Sequence, residues 1–143
     1  MDILRHYHVE GKQSEPNYQN QNPAERRIQD VKHVTNAIMD RTGTPAKFWL
    51  LATLFVVYLL NCCSSESLDN MTPLERATGQ RPDISALLTF HWWEPVNFQS
   101  YDNKFPSKEN EHIGCWVGVA ENTGDALTYL ILDSVTENVV KPL

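Results

Sequence analysis

The stretch FWLLATLFVVYLL, Phe48–Leu60, is the strongest apolar run in the chain and indicates where the core of the fold lies. A membrane-spanning helix needs about 20 apolar residues, whereas runs of about 10–14 more often form buried helices of a globular core. Thr44 and Pro45 precede the run and offer an N-cap and a favourable first helical residue, and Asn61 follows it. The sequence therefore predicts a helix at the hydrophobic centre, with a membrane segment as the alternative.

A second helix is predicted directly upstream, from Pro23 to about Asp40. Its apolar residues recur every three or four positions, which places them on one side of a helix. They are Ala24, Ile28, Val31, Val34 and Ile38. Asn22 is a good N-cap for this helix, and Gly43 is a good stop signal. Because only a few residues separate the two predicted helices, we expect them to form an antiparallel pair.

The segment TPLERATGQRP, residues 72–82, predicts a third and shorter helix. Thr72 is placed to cap it, and Pro73 takes the first helical position. Glu75 completes the pattern of a capping box, in which the cap side chain and the third helical residue exchange hydrogen bonds. Gly79 then ends the helix.

After Ile84 the chain becomes rich in aromatic and β-branched residues, which are typical of strands. Three segments have this character, namely LLTFHWWEPVNF, HIGCWVGVA and LTYLILD, and the turn-forming ENTGDA separates the last two. We expect three or four short strands. The predicted fold class is α+β, with a mainly helical part at residues 1–80 and a small antiparallel β-subdomain at residues 81–143.

The 143 residues carry a net charge of −6, and that charge is unevenly distributed. Residues 1–47 hold seven basic and six acidic side chains, a balance of +1, and residues 48–143 hold five basic and twelve acidic ones, a balance of −7. Proteins that bind nucleic acids use Lys and Arg to neutralise phosphates. Only the first part of the chain is therefore suited to lie against a phosphate backbone.

Three cysteines, Cys62, Cys63 and Cys115, form an odd set without the spacing of a disulfide framework. The first ten residues are interrupted by charges and histidines and lack the apolar core of a signal peptide. These features predict reduced thiols in a nuclear or cytoplasmic protein that is not secreted.

The segment QNQNPAERRIQ, Gln19–Gln29, allows two interpretations of Glu25. In the structural one, Asn22 covers the amide of Glu25, and the Glu25 carboxylate reaches back to complete a capping box. In the functional one, Glu25 shares a helix face with Gln29, Lys32 and His33, opposite the apolar stripe. An acid, an amide and basic groups on one face are suited to a metal ion beside a phosphodiester. The spacing alone favours the cap.

Four segments, taken in chain order, resemble the integrases of copia-type LTR retrotransposons. PNYQNQNPAERRIQDVK is similar to the family's final catalytic segment, where a Pro-x-x-x-Gln-Asn-(small)-x-x-Glu-Arg pattern leads into a helix with the third carboxylate of a D,D-E triad. AKFWLLATLFVVYLLN is similar to the second helix, TPLERATGQRPDISALLTF to a Thr-Pro-x-Glu element, and GCWVGVAENTGDALTYLILDSVTENVV to the strand pair that closes the region. The likeness runs from about Ser14 to Val140. Pro23 stands where the family usually has Gly after the Gln-Asn pair.

The resemblance implies a partial RNase H-like integrase core, with a helical hairpin and an incomplete sheet, followed by a small antiparallel β-subdomain. It implies that Glu25 is a catalytic residue and a Mg²⁺ ligand. It also implies that five residues approach DNA, namely Gln21, Asn22, Arg26, Gln29 and Lys32. The parent activity would be DNA integration by strand transfer, in which two cations about 3.5–4 Å apart clamp the attacking and leaving oxygens. Mg²⁺ prefers carboxylate oxygens as ligands.

The family triad also needs two aspartates before the glutamate, and Asp2 is the only aspartate before Glu25 in this sequence. Asp2 lacks the Asp-Asn-Gly surroundings of the family's second aspartate. A lone carboxylate cannot hold two divalent cations. We therefore expect a polyprotein fragment that is inactive as an integrase by itself and binds no Mg²⁺ alone.

Two other kinds of site find little support in the sequence. His6 and His8 are two residues apart and Cys62 and Cys63 are adjacent, which matches none of the usual zinc-ligand spacings. The three tryptophans of the predicted strands could stack on bases, but we expect them to belong to the core. They are Trp92, Trp93 and Trp116.

The remaining expectations concern partners. DNA is the expected partner of the parent enzyme, and no membrane partner is expected. The apolar helix at residues 45–63 would pack on a sheet that is incomplete here, so we expect exposed apolar surface and self-association. The alternative function is a non-catalytic protein-interaction module that binds a partner through its acidic half.

Overall fold

The computed structural model describes residues 22–99, 110–120 and 128–142. Over these residues the fold is α+β, with three α-helices followed by an antiparallel sheet of four strands in the order β1-β2-β3-β4. The helices are α1 (Pro23–Thr42), α2 (Trp49–Cys62) and α3 (Pro73–Thr78), and the strands are β1 (Pro95–Gln99), β2 (Glu111–Val119), β3 (Tyr129–Asp133) and β4 (Val139–Val140). The predicted class and the antiparallel sheet are confirmed.

Helix α1 begins at the predicted residue and continues two residues further than expected, to Thr42. Gly43 ends it in the left-handed conformation, with φ of 69°, and its amide donates to the Met39 carbonyl oxygen. Arg27 lies near the start of α1, and its Nη2 donates to the Leu60 carbonyl oxygen near the end of α2, at 3.4 Å. The two helices therefore form the predicted antiparallel pair.

Helix α2 starts later than the sequence indicated, and the prediction that Thr44 caps it is wrong. A 3₁₀ turn at Ala46–Phe48 precedes α2, which has no side-chain cap. The Thr44 hydroxyl is buried and accepts instead a hydrogen bond from Trp92 Nε1, at 3.0 Å. A buried indole N–H needs an acceptor. Because the Thr44 hydroxyl accepts this hydrogen bond, the Thr44 side chain does not cap α2.

Helix α3 follows its prediction closely. The Thr72 hydroxyl accepts from the Glu75 amide at 3.0 Å, Pro73 occupies the first turn, and Gly79 ends the helix with φ of 75°. The Glu75 carboxylate forms a 3.7 Å ion pair with Arg81.

The first predicted strand segment, LLTFHWWEPVNF, is extended only at its end, so this prediction is largely wrong. A 3₁₀ turn covers Ser85–Leu88, and Trp93 has a positive φ of 66°. The Glu94 carboxylate accepts from the His91 amide at 2.7 Å and closes a turn there. Strand β1 can begin only after this turn, at Pro95.

Strand β2 is the central partner of the sheet, because it pairs with both β1 and β3. Its register with β3 shifts between Trp116 and Gly118. Such a β-bulge places an extra residue in one strand and changes how its side chains are directed. Trp116 and Val117 are consecutive in β2 and both are buried.

The hydrophobic core lies between α2 and the sheet. One cluster of buried residues combines Ala52 of α2 with Trp92, Val117 and Leu132. Phe55 of α2 stacks on Trp92 with ring centroids 5.0 Å apart and meets the Trp116 ring edge-on at 5.5 Å. Aromatic pairs of this kind add about 0.5–1.5 kcal/mol beyond the area that they bury.

The tryptophans largely occupy the predicted core positions. Trp92 and Trp116 are buried, whereas Trp93 is only partly buried and packs beside Phe48, with ring centroids 5.2 Å apart. Helix and sheet residues contribute to the same core cluster. The division into parts at 1–80 and 81–143 stays a prediction.

The three cysteines are not bonded to one another, and burial raises the pKa of the Cys115 thiol. Among the described helices, none is by itself long and apolar enough to cross a membrane, although the bent pair Ala46–Cys62 and Glu66–Thr78 meets that test by length and composition. Several predictions lie outside the described residues. They concern Asp2, His6, His8, Gln21 and the turn ENTGDA.

Candidate functional site

The start of α1 carries the residues that the sequence assigned to chemistry. Asn22 caps the helix, but its Oδ1 accepts from the Ala24 amide at 3.0 Å rather than from that of Glu25. The expected capping box is therefore not formed in the predicted way. The reason is local, because an Asn side chain is short enough to close a two-residue turn on its own backbone.

Glu25 lies in the first turn of α1 and is partly buried. Its Oε2 atom is buried and has no hydrogen-bond partner, a condition shared in the described part of the chain only by Trp116 Nε1. Buried polar atoms are nearly always hydrogen-bonded, so each exception calls for a physical reason. Because this oxygen has almost no solvent-accessible surface, a cation or an outside donor reaches it only if the start of α1 opens locally.

The side chains beside Glu25 lie in solvent. Gln29, Lys32 and His33 are exposed and follow Glu25 at spacings that keep them on one side of the helix. Arg26 is also exposed, but it lies about 100° around the helix from Glu25. On α1, Gln29 therefore lies one turn after the acid and Lys32 two turns after it, where Lys32 lines a groove beside Ile28 and Val31.

The other two predicted DNA-contacting residues differ in status. Asn22 is partly buried, and its side-chain oxygen is engaged in the cap. Its amide nitrogen is the part of the side chain that remains suited to an outside acceptor. Gln21 is not among the described residues.

The described residues do not provide a complete metal site. No group of three or more His, Cys, Asp or Glu side chains converges within residues 22–99, 110–120 and 128–142. Mg²⁺ requires six ligands in near-octahedral geometry and usually takes one or two carboxylates with several waters or phosphate oxygens. Glu25 fits one such carboxylate, and further protein ligands for a two-cation site are not present beside it in the described ranges.

A second feature, which the sequence did not assign, is a groove of about 700 Å³ between α1 and α2. Its wall on α1 includes Ile28 and Val31, and its wall on α2 includes Trp49, Val57 and Leu60. The remaining lining residues are Arg27, Lys32, Thr35, Asn36, Thr53 and Asn61. We refer to these eleven residues as the interhelical groove.

The apolar surface expected on α2 is present and large. Trp49 is 58% exposed and Leu54 is 59% exposed, and Leu50 is exposed as well. The sequence did not predict the groove, because the groove depends on how α1 and α2 pack against each other. The available signal was α2 itself, which is apolar on every side and has no charged residue. A short link to one neighbouring helix cannot cover all of such a surface.

Two of the carboxyl groups with a lowered pKa hold turns and line neither the groove nor the start of α1. Hydrogen bonds from the Val135 amide and the Thr136 hydroxyl lower the pKa of Asp133, which is buried at the end of β3. A backbone hydrogen bond from His91 lowers the pKa of Glu94. Both carboxylates hold turns of the β part, so we assign them a structural role.

Comparison of the chain with models of known protein families, with curated proteins and with solved structures finds no significant match. The function of the chain is therefore inferred from its sequence motifs and from the geometry of α1 and α2.

Proposed function

We propose that this chain derives from the integrase region of a copia-type LTR retrotransposon polyprotein. In this proposal α1 and α2 belong to the last part of an RNase H-like catalytic core, and the antiparallel sheet is the subdomain that follows it. The parent reaction is Mg²⁺-dependent strand transfer, which joins the ends of the element to target DNA. The parent enzyme acts on DNA, and the polyprotein resides in the nucleus or cytoplasm.

The unpartnered Glu25 oxygen is the observation that carries this proposal. Glu75, the corresponding acid of α3, has Arg81 as an ion-pair partner, whereas Glu25 Oε2 is buried without any partner. The acid stands at the position that the integrase motif reserves for its third carboxylate. An oxygen without a protein donor is compatible with a cation as its partner, once a local opening of the first turn exposes it.

The proposed roles follow from exposure and charge. Glu25 holds one cation through its carboxylate, and the bound Mg²⁺ stabilises charge on the reacting phosphodiester oxygens. Lys32 and Arg26 neutralise phosphates on either side, and Gln29 offers an amide to the DNA backbone. A single carboxylate cannot seat two cations, so the chain alone is proposed to be inactive.

The test extends the chain into the in-frame coding sequence upstream of Met1 and measures Mg²⁺-dependent joining of element-end DNA. We expect that sequence to encode an aspartate-bearing strand and a second aspartate within Asp-Asn-Gly. We expect Glu25→Gln to abolish joining without lowering the melting temperature by more than a few degrees. The matched control is Glu75→Gln, which changes the corresponding acid of α3 and should leave joining intact. Equal activity of the two variants would contradict the proposal.

A second proposal is a non-catalytic module that binds a protein partner through acidic residues. The balance of −7 over residues 48–143 favours it, because such a surface repels phosphates. Glu25→Ala separates the two proposals. If Glu25 serves only the helix start, the variant melts earlier and no Mg²⁺-dependent property changes. If Glu25 is a ligand, Mg²⁺ affinity of the extended protein falls and melting changes little.

A further inference from the structure

The interhelical groove has the dimensions of a helix-binding site. Along α1 its lining runs from Arg27 to Asn36, and along α2 from Trp49 to Asn61. At 1.5 Å per residue these spans correspond to about 14 Å and about 18 Å. A guest helix of about nine to twelve residues covers that length, and the volume of about 700 Å³ lies within the range of protein binding pockets.

The walls of the groove are apolar and still in contact with solvent. Ile28 is 54% exposed, and Val57 is 39% exposed. Together with the half-exposed Trp49 they form a connected apolar surface on both walls. Contiguous apolar surface on a folded protein commonly marks a site of association. Apolar side chains at i, i+4 and i+7 of an amphipathic helix are spaced to fill such a groove.

The charges of the groove indicate which kind of helix fits. Arg27 and Lys32 line it, and no acidic residue is among the lining residues. One guanidinium nitrogen of Arg27 donates to the Leu60 carbonyl oxygen, which holds that side chain over the groove. Complementary charges on opposing surfaces give specificity and speed association. The fitting partner therefore carries Asp or Glu beside its apolar stripe.

The described helices of a second copy do not meet these requirements. Helix α2 is uncharged, so it offers nothing to Arg27 and Lys32. The apolar stripe of α1 contributes Ile28 and Val31 to the groove wall itself, and α3 has only six residues. Since none of the helices in residues 22–99 offers a free apolar face with acidic flanks, we take the guest helix to belong to another protein.

We propose that the interhelical groove binds an acidic amphipathic helix of another protein. The apolar positions of that helix lie against Ile28, Trp49 and Val57, and its carboxylates face Arg27 and Lys32. This binding uses neither Glu25 nor a metal, but it shares Lys32 with the proposed DNA contact, so helix and DNA compete for that side chain. It gives the chain a protein-docking function in addition to the proposed role of its parent in DNA joining.

The test uses the full 143-residue chain and two labelled synthetic helical peptides. Both carry leucines at i, i+4 and i+7, and they differ only in having Glu or Lys at the flanking positions. We expect fluorescence anisotropy to show binding of the Glu peptide at about 100 μM or below, and at least about tenfold weaker binding of the Lys peptide. Equal affinities, or no binding of the Glu peptide, would overturn the proposal.

Two variants locate the site. Val57→Glu places a charge on the groove wall and should weaken the Glu peptide at least about tenfold. Leu54→Glu is the matched control, since Leu54 is also exposed on α2 but does not line the groove. It should leave the affinity unchanged, and circular dichroism should show both variants folded. Equal effects of the two variants would refute the assignment.

Analytical ultracentrifugation supplies a separate outcome. We expect the chain to remain the same size when Val57→Glu is introduced. A dimer that this substitution converts to a monomer would assign the groove to a second copy of the chain and overturn the proposal for a foreign helix.

Discussion

The two faces of α2 have the same kind of residues and opposite surroundings. On the inner face, Ala52 and Val56 have no exposed surface, and Ala52 belongs to the core cluster that α2 shares with the sheet. On the outer face, Leu50 and Leu54 are more than half exposed. Helix α2 carries no charge on either face. Burial in this protein is therefore decided by which neighbouring surfaces are present and not by the hydrophobicity of the residue.

The two faces show that burial of apolar surface can stabilise either the fold or a complex with a partner. Each square ångström removed from water contributes about 25 cal/mol. The inner face has already gained that free energy in folding. The outer face has not, so the same free energy is available there for association with a partner. Substitutions on and around the two faces measure how sharply they differ.

The largest effect is expected from Trp116→Ala. Trp116 is fully buried and meets Phe55 of α2, so its removal should lower the free energy of unfolding by about 3–5 kcal/mol. Trp49→Ala is the control on the outer side, where the expected loss is below about 1 kcal/mol. Urea unfolding followed by circular dichroism measures both. Similar losses would mean that the faces do not differ in the way described.

Two adjacent valines give the most closely matched comparison. Val56→Ala removes two methyl groups from the inner face and should cost about 2 kcal/mol. Val57→Ala makes the same chemical change one residue later, on a partly exposed side chain, and should cost less than about 1 kcal/mol. Chemical denaturation of the pair measures the difference, and equal values would contradict the assignment of the faces.

A smaller loss is expected from Thr44→Val. The substitution keeps the shape of the side chain and removes the acceptor of the buried Trp92 Nε1–H, at a cost of about 1–2 kcal/mol. Thr53→Val is the control, because the Thr53 hydroxyl bonds only to the Trp49 carbonyl oxygen of its own helix. Thermal melting should distinguish them. A change in Trp92 fluorescence should accompany Thr44→Val and not the control.

The pH dependence of the melting temperature tests strand β3, which contributes Leu132 to the core cluster on the inner face of α2. The folded-state pKa of Asp133 lies below its ordinary value of 3.8, because the Val135 amide and the Thr136 hydroxyl hydrogen-bond its carboxylate. The stabilisation is therefore present above the ordinary value and is lost as pH falls through the lowered pKa. Melting temperatures between about pH 6 and pH 2 should decline, and Asp133→Asn should make the decline shallower. An unchanged slope would remove Asp133 as a cause.

The smallest effect on stability is expected from Leu54→Gln on the outer face. The free energy of unfolding should change by no more than about 0.5 kcal/mol. Any concentration-dependent association through this face should decrease, because less apolar surface is exposed. Light scattering over a range of protein concentrations measures the second quantity. A large loss of stability would show that Leu54 is covered in solution.

The sequence was sufficient for the elements whose signals are local. The start and end of α3 follow from Thr72, Pro73 and Gly79, and the end of α1 follows from Gly43. Each of these residues acts on its own backbone, so no knowledge of distant contacts is needed. The α+β class likewise follows from the change in periodicity after Ile84.

The sequence predictions were wrong where tertiary contacts or a turn determine the local structure. Thr44 has the sequence signal of a helix cap, but its hydroxyl accepts a hydrogen bond from Trp92, which lies 48 residues later in the chain. The segment LLTFHWWEPVNF had strand composition, but the turn at His91–Glu94 delays the strand until Pro95. Propensity yields to tertiary contacts at such positions.

The candidate site shows the same division. Asn22–Glu25 and Thr72–Glu75 have the same spacing, yet only the second forms a cap bond to the third helical amide. The sequence placed Glu25 in the first turn correctly and could not indicate that its Oε2 has no partner. The interhelical groove was also beyond reach, because it arises from the packing of α1 against α2.

The strand order β1-β2-β3-β4 in the sheet repeats the order of the strands in the chain. Every strand therefore pairs with its nearest neighbour in sequence, which keeps the sequence separation of paired residues small. Folds made of such local contacts fold faster than those that join distant segments. The contacts within α1 and α2 are more local still, so we expect these helices to form before the sheet is complete. Amide protons of α2 would then become protected from hydrogen exchange before those of β2 during refolding.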